Sequence, residues 1–228
     1  MNLTMSKELF KRTITSVILI SCLGGAYLHS TTLYSALLIA LDLMIFNFEL
    51  PNLFPINSLK RFALGIIYPG ISIVCLILLN EVYRVENMIL PLYPFFIAWS
   101  ADTCGYFVGK AIGRHKMCPT ISPGKSWEGF GGSILGVLAV HIFLSPVLIN
   151  TPFSLSIGWV KIALLTVIMT TIAFLGGLML SFLKRKQGLK DAGNVLPGHG
   201  GFLDRFDSVF FVAPATWLTL LLAQFLST

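Results

Sequence analysis

Charge is scarce in this sequence: 11% of its 228 residues are Asp, Glu, Lys or Arg, against about 25% in an ordinary soluble domain. So few charged side chains do not cover a soluble globule of this size, which excludes a cytosolic domain. Cysteine is scarcer still. Cys22, Cys75, Cys104 and Cys118 form no CxxC pair, which excludes a disulfide scaffold and a zinc site of cysteine spacing. Low-complexity tracts, internal repeats and long linkers are also missing, so residues 1–228 read as a single domain. Apolar residues are plentiful, at 55% of the chain with 18 Phe, 20 Gly and a mean hydropathy of +0.82. That composition points to an all-α, polytopic membrane protein whose apolar surface is solvated by lipid.

A helical span needs about 20 mostly apolar residues. Seven stretches meet or approach that length: 13–29, 32–50, 62–80, 88–108, 129–149, 158–182 and 208–226. The first follows Lys11 and Arg12 without a convincing small-residue cleavage site, so it reads as an uncleaved helix. The second carries Asp42 and Glu49; the fourth is interrupted by Pro91 and Pro94 and runs into Asp102. If the N-terminus is inside, 14 of the 16 Lys and Arg fall on the inner side, and only Arg84 and Lys161 fall outside. This bias places the N-terminus in the cytoplasm and suggests a multi-pass protein of the cell's inner membrane. The net charge of +6 is explained by these basic inner loops, and no nucleic-acid partner is expected.

Two inner loops collect the residues capable of chemistry. The first runs from Asp102 to Gly129. Its Gly105, Gly109 and Gly113 recur every four residues, a spacing that lets membrane helices approach closely. Asp102 at the membrane edge is costly and therefore paired or functional. Ser122-Pro-Gly-Lys125-Ser-Trp-Glu-Gly129 lacks the spacing of a phosphate-binding P-loop and by itself reads as a solvated turn. The second loop, Ser181 to Ser208, packs Lys184, Arg185, Lys186 and Lys190 into seven residues ahead of Pro-Gly-His-Gly-Gly. Backbone N–H groups in such a glycine stretch approach anions closely. Asp204 and Asp207 are three apart and, if helical, share one face. Mg²⁺ is commonly held by one or two carboxylates plus substrate phosphates, so this pair has the form of a metal site.

The run Ser-x-x-Lys-Arg-x₄-Lys-Asp-x-Gly-x₃-Pro-Gly-His-Gly-Gly-x-x-Asp-Arg-x-Asp-Ser, residues 181–208, resembles the C-terminal motif of phosphatidate cytidylyltransferases, the CDP-diacylglycerol synthases. Asp102 to Lys110 and Ser122 to Gly129 are similar to two further stretches of that family. Residues 91–228 thus form the motif-bearing portion, and residues 1–90 match only as spans. The resemblance implies transfer of the cytidylyl group of CTP to phosphatidic acid, a divalent metal cofactor (Mg²⁺, with room for a second cation) and a homodimer in the bilayer. It assigns Asp204 and Asp207 to metal, and Lys184, Arg185 and Ser181 to phosphate, with Ser122 and Lys125 in support. Lys190, Asp191, His199, Gly200 and Gly201 would shape the nucleotide pocket, and Asp102 would join the substrate site. The family usually carries Gly-Asp-x-x-Glu-Ser before the Lys-Arg pair. Here Gly177 and Leu180 stand at the two acidic positions, and Gly124 replaces a second lysine.

Three rival readings come from other classes. Another CTP-dependent lipid enzyme, such as a polyprenol kinase, would lack the full Pro-Gly-His-Gly-Gly-x-x-Asp-Arg-x-Asp run. A transporter using Asp42, Glu49 and Asp102 would spread its polar residues through several spans at mid-depth. A non-catalytic relative would have lost activity together with the two acidic residues.

Overall fold

The structure is a computed structural model that describes residues 3–54, 58–196 and 200–227. It is a helical membrane protein with a single small hairpin among the described residues. In chain order the helices are α1 (Leu3–His29), α2 (Thr31–Met44), α3 (Leu50–Leu53), α4 (Ser58–Gly65), α5 (Ile71–Tyr83), α6 (Tyr93–Ile112), α7 (Trp127–Leu144), α8 (Trp159–Lys186), α9 (Leu203–Phe206) and α10 (Val209–Ser227). Strands β1 (Lys116–Cys118) and β2 (Ser122–Ser126) pair antiparallel between α6 and α7.

Five of these stretches are long and apolar enough to cross a membrane: Thr31–Leu53, Phe62–Tyr83, Trp127–Leu144, Trp159–Lys186 and Val209–Leu226. Helix α1 contributes a shorter apolar stretch, Val17–His29. Helix α6 is 20 residues long, but Asp102 and Lys110 interrupt its apolar run. Five of the seven expected spans therefore qualify by length and composition, and the chain is a multi-pass membrane protein.

The contacts divide the chain into two units. The first comprises 1–80 and 183–206, the second 81–182 and 207–228. In the first unit, Ser30 starts α2 by accepting the Leu33 N–H at 3.0 Å. Two π turns follow, Ile45–Glu49 and Ile66–Gly70. Pro51 sits just after the first and Pro69 within the second. A proline donates no N–H and crowds the carbonyl four residues back. The chain responds with wider turns: Leu50 N–H reaches Ile45 O and Ile71 N–H reaches Ile66 O, five residues back. The core here includes the fully buried Tyr34, Leu38, Ile45, Leu50 and Leu79.

In the second unit α6 packs closely on α7 and also meets α10. Glycines make that approach possible. A Cβ on Gly132 would stand 2.6 Å from the Val108 Cβ, and one on Gly136 would stand 2.6 Å from the Cys104 Sγ. Ser133 Oγ donates across the same crossing to Ala101 O at 2.7 Å. His141, fully buried, is satisfied on both ring nitrogens, by Tyr93 Oη at 2.6 Å and Thr166 Oγ1 at 2.8 Å. That is a core polar network and leaves His141 no free nitrogen for chemistry.

Candidate active site

The residues expected from the sequence fall into two polar clusters, one in each unit. In the first unit the helix end fixes the geometry. Gly188, at φ 68°, ends α8 in the left-handed conformation, where only glycine is free of steric penalty. Leu189 N–H then bonds Lys184 O and Gly188 N–H bonds Arg185 O, the paired pattern of a Schellman stop. The chain turns back, and Lys184 Nζ meets Asp204 Oδ1 at 2.6 Å, with side chains only 14% and 6% exposed. Asp204 Oδ2 accepts the Ala192 N–H at 2.7 Å and the Gly201 N–H at 3.1 Å. A Cβ on Gly200 would lie 3.2 Å from that same oxygen, and its φ of 81° again suits glycine.

Gly201 therefore presents its N–H to an anion, but that anion is Asp204, a carboxylate of the chain itself. Arg185 is exposed and donates to Leu189 O at 2.9 Å; Lys190 and Asp191 are exposed at the loop surface. His199 lies outside the described residues.

In the second unit Ser122–Ser126 is strand β2, paired with β1, and Ser126 caps α7 by accepting the Gly129 N–H at 3.1 Å. The solvated-turn expectation for this octapeptide is thus overturned: Ser126 and Gly129 are buried. The reason is the tight contact of Gly129 with α6, where an added Cβ would sit 2.8 Å from Gly105 O. Strand β2 delivers Lys125 into a pocket of about 240 Å³ lined in part by Asp102, Ser122, Thr170 and Phe174. Lys125 Nζ donates to Phe174 O at 3.1 Å and lies 4.3 Å from the centre of the Phe174 ring. Burial pushes the ammonium below the ordinary lysine value, and the nearby carboxylates of Asp102 and Asp207 oppose that shift without cancelling it.

Asp207 belongs to the turn after α9, and its Oδ1 accepts the Ser208 N–H at 2.7 Å. Helix α9 ends at Phe206 and α10 begins at Val209. The chain is not helical through both aspartates, so the shared-face argument for Asp204 and Asp207 does not hold. Ser208 Oγ is buried beside Asp102, outside good hydrogen-bond geometry. Ser181 Oγ is spent on Gly177 O of its own helix at 2.7 Å.

The two lost acidic positions differ. Leu180 is fully buried, so that site is now apolar core. A Cβ on Gly177 would stand 2.9 Å from Lys125 Nζ, 3.4 Å from Asp207 Oδ2 and 3.5 Å from Ser208 Oγ. An acidic side chain there would enter the Lys125–Asp207 cluster.

Among the described residues no three His, Cys, Asp or Glu side chains converge as a metal cage. The donors suit a cation held largely by substrate oxygens. In the second unit Asp207, Asp102 and the underused Ser208 hydroxyl are the oxygens that would supply the protein share. Asp204 already spends three of about four lone-pair directions on protein donors, leaving one on Oδ1.

The family model described as "Cytidylyltransferase family" matches residues 1–223. A phosphatidate cytidylyltransferase of Bacillus subtilis is 37% identical over 192 residues, covering 83% of this chain and 68% of that protein. One of Staphylococcus saprophyticus is 34% identical over 201 residues, covering 88% and 73%. Over a shorter region of 141 residues, 62% of this chain and 52% of the relative, one of Staphylococcus aureus is 43% identical.

Proposed function

The chain belongs to the cytidylyltransferase family, and on that premise we propose that it converts CTP and phosphatidic acid into CDP-diacylglycerol and pyrophosphate. The observation that carries this reading is the extent of the family match: residues 1–223 take in both polar clusters. In this reaction a phosphate oxygen of phosphatidate attacks the α-phosphorus of CTP, a new P–O bond forms, and the α–β bridging P–O bond breaks. The lipid brings its own nucleophile, so the protein has to bind, align and neutralise charge.

Lys125, half-buried in a small pocket, is suited to an anionic phosphate oxygen, since low local dielectric strengthens its pull. Ser122 lines the same pocket. Lys184 pairs with Asp204, and the exposed Arg185, Lys190 and Asp191 of the same loop, with Gly200 and Gly201, would meet the nucleotide. Asp207 and Asp102 in the second unit would hold Mg²⁺, as would the remaining Oδ1 direction of Asp204 in the first, and the metal would supply charge neutralisation for phosphate oxygens. The topology we propose has seven spans, counting α1 and α6, with the N-terminus and the 184–205 loop on the cytoplasmic face of the inner membrane, where CTP is available. We also propose a homodimer. Chemical crosslinking in native membranes should give a band of twice the 25.1 kDa monomer mass; a monomer band alone argues against it.

One specific observation favours a second reading, a non-catalytic relative: Gly177 and the buried Leu180 occupy the acidic positions of the motif. Purified protein incubated with radiolabelled CTP, phosphatidic acid and Mg²⁺ separates the two. Labelled CDP-diacylglycerol is the expected result; its absence in a folded preparation favours the non-catalytic reading.

A further inference from the structure

Residues 1–90 entered the resemblance only as apolar spans, yet they carry a carboxylate that reaches the polar loop. Glu49 closes the π turn after α2 and is 0% exposed. Its Oε1 accepts the Phe202 N–H at 2.7 Å and its Oε2 accepts the Leu203 N–H at 2.8 Å, across 153 and 154 residues of sequence. Two glycines make room for it. A Cβ on Gly201 would lie 2.5 Å from Oε2, and one on Gly193 would lie 2.9 Å from Cγ. One helical turn on, Asn52 Nδ2 donates to Ala192 O at 3.0 Å, and the Ala192 N–H in turn serves Asp204.

The loop is thus gripped at both ends by side chains from one helix end. A buried carboxylate is costly unless charge-assisted hydrogen bonds satisfy it, and such bonds are roughly twice as strong as neutral ones. A nearby serine or aspartate could have capped these N–H groups locally; glycine stands at 200 and 201, and the acceptor comes from the distant helix.

We propose that Glu49 is a positioning residue for the nucleotide loop. It holds Phe202 and Leu203 so that the loop, Asp204 and the Lys184 ion pair are preset before CTP arrives. This rests on the proposed cytidylyl transfer. A preset loop spares the ligand the entropy of ordering it. Without the anchor, only the fraction of molecules with a competent loop binds, and the apparent affinity falls by that fraction. KM for CTP then rises while the saturated rate is kept.

The test uses the full chain in phospholipid nanodiscs, as wild type, Glu49→Gln and Glu49→Ala. Three quantities are measured: KM and kcat for CTP, equilibrium CTP binding, and amide hydrogen exchange of residues 190–206 without nucleotide. The expected result is KM for CTP raised about tenfold in Glu49→Ala, less in Glu49→Gln, which keeps one acceptor, with kcat within about threefold. Exchange at 190–206 should speed up while exchange at 127–144 is unchanged. A fall in kcat at constant KM, unchanged loop exchange, or a Glu49→Gln protein that does not fold would assign Glu49 to stability alone and overturn the proposal. If the wild type makes no CDP-diacylglycerol, the function reading fails separately; loop exchange and CTP binding still decide whether Glu49 sets the loop.

Discussion

At Gly177 a side chain is missing where the resemblance places an aspartate, and its Cβ direction leads to Lys125, Asp207 and Ser208. Helical spacing puts Gly177 one turn from Ser181 on the same face, but it does not name the neighbours that this face meets. An aspartate at 177 would add a third carboxylate beside Asp207, and its only close steric conflict is with the mobile end of a lysine. Gly177→Asp is therefore expected to lower the Mg²⁺ needed for half-maximal rate several-fold, since more charged oxygens offset the cost of dehydrating the ion. A rate titration against Mg²⁺ checks this; an unchanged midpoint means that a substitute ligand already exists. Asp204→Asn strips the nearly buried Lys184 of its counter-charge and should abolish all but a trace of product in the same assay. Lys125 gives a pH signature. Its proton leaves at lower pH than an exposed lysine's, so kcat/KM falls as pH rises through that lowered value. Bound triphosphate favours the ammonium, so the limb in kcat should lie at higher pH. Lys125→Arg, which stays protonated, should remove the alkaline limb altogether. The motif residues themselves were legible in sequence. That the Gly201 N–H serves Asp204 was not, because a glycine run announces an anion without saying whose.

The crossing of α6 on α7 was half legible. The four-residue recurrence of Gly105, Gly109 and Gly113 marks a close approach, but the partner helix is named only by the structure, where Gly129, Gly132 and Gly136 answer from α7. Gly136→Leu would drive a branched side chain into Cys104 and the Ser100 carbonyl, 3.0 Å from the first added carbon. Overpacking of this kind costs about 1–3 kcal/mol, a Tm lower by roughly 5 °C. Gly131→Ala, where an added Cβ meets nothing within 4 Å, should hold Tm or raise it slightly, because alanine loses less backbone entropy in a helix. Thermal melts of both variants in one detergent decide; equal melting would mean that the glycines are not needed for packing. The break between α9 and α10 escaped the sequence for a local reason. Asp207 captures the Ser208 N–H, and Ser208 O then accepts from Phe211 and Val212, which starts a new helix.

For the whole molecule, the apolar runs gave most spans with boundaries off by a few residues, since lipid demands length and hydropathy that sequence records directly. Helix α6 was the ambiguous one, because a helix carrying Asp102 looks the same in sequence whether it crosses the membrane or lies beside a pocket. The proposed orientation predicts that, with the four native cysteines replaced, an outside thiol reagent modifies Ser156→Cys and spares Lys186→Cys. Both positions are exposed, whereas the neighbouring Ser154 is buried and would report poorly. The reverse pattern would move the polar loop away from cytoplasmic CTP. The π turn at Ile45–Glu49 adds a matter of counting. It holds one residue more than an α turn, and Leu50 N–H already closes it on Ile45 O, so removing one exposed residue from it would let the helix close normally on that same bond and leave everything beyond nearly in its present direction. Deletion of the exposed Asn47 or Phe48 should therefore leave Pro51 and Asn52 facing as they do, whereas the same deletion in the regular turns of α2 would rotate everything beyond it by about 100°. A single deletion should thus be tolerated better in this short stretch than in the helix on either side of it.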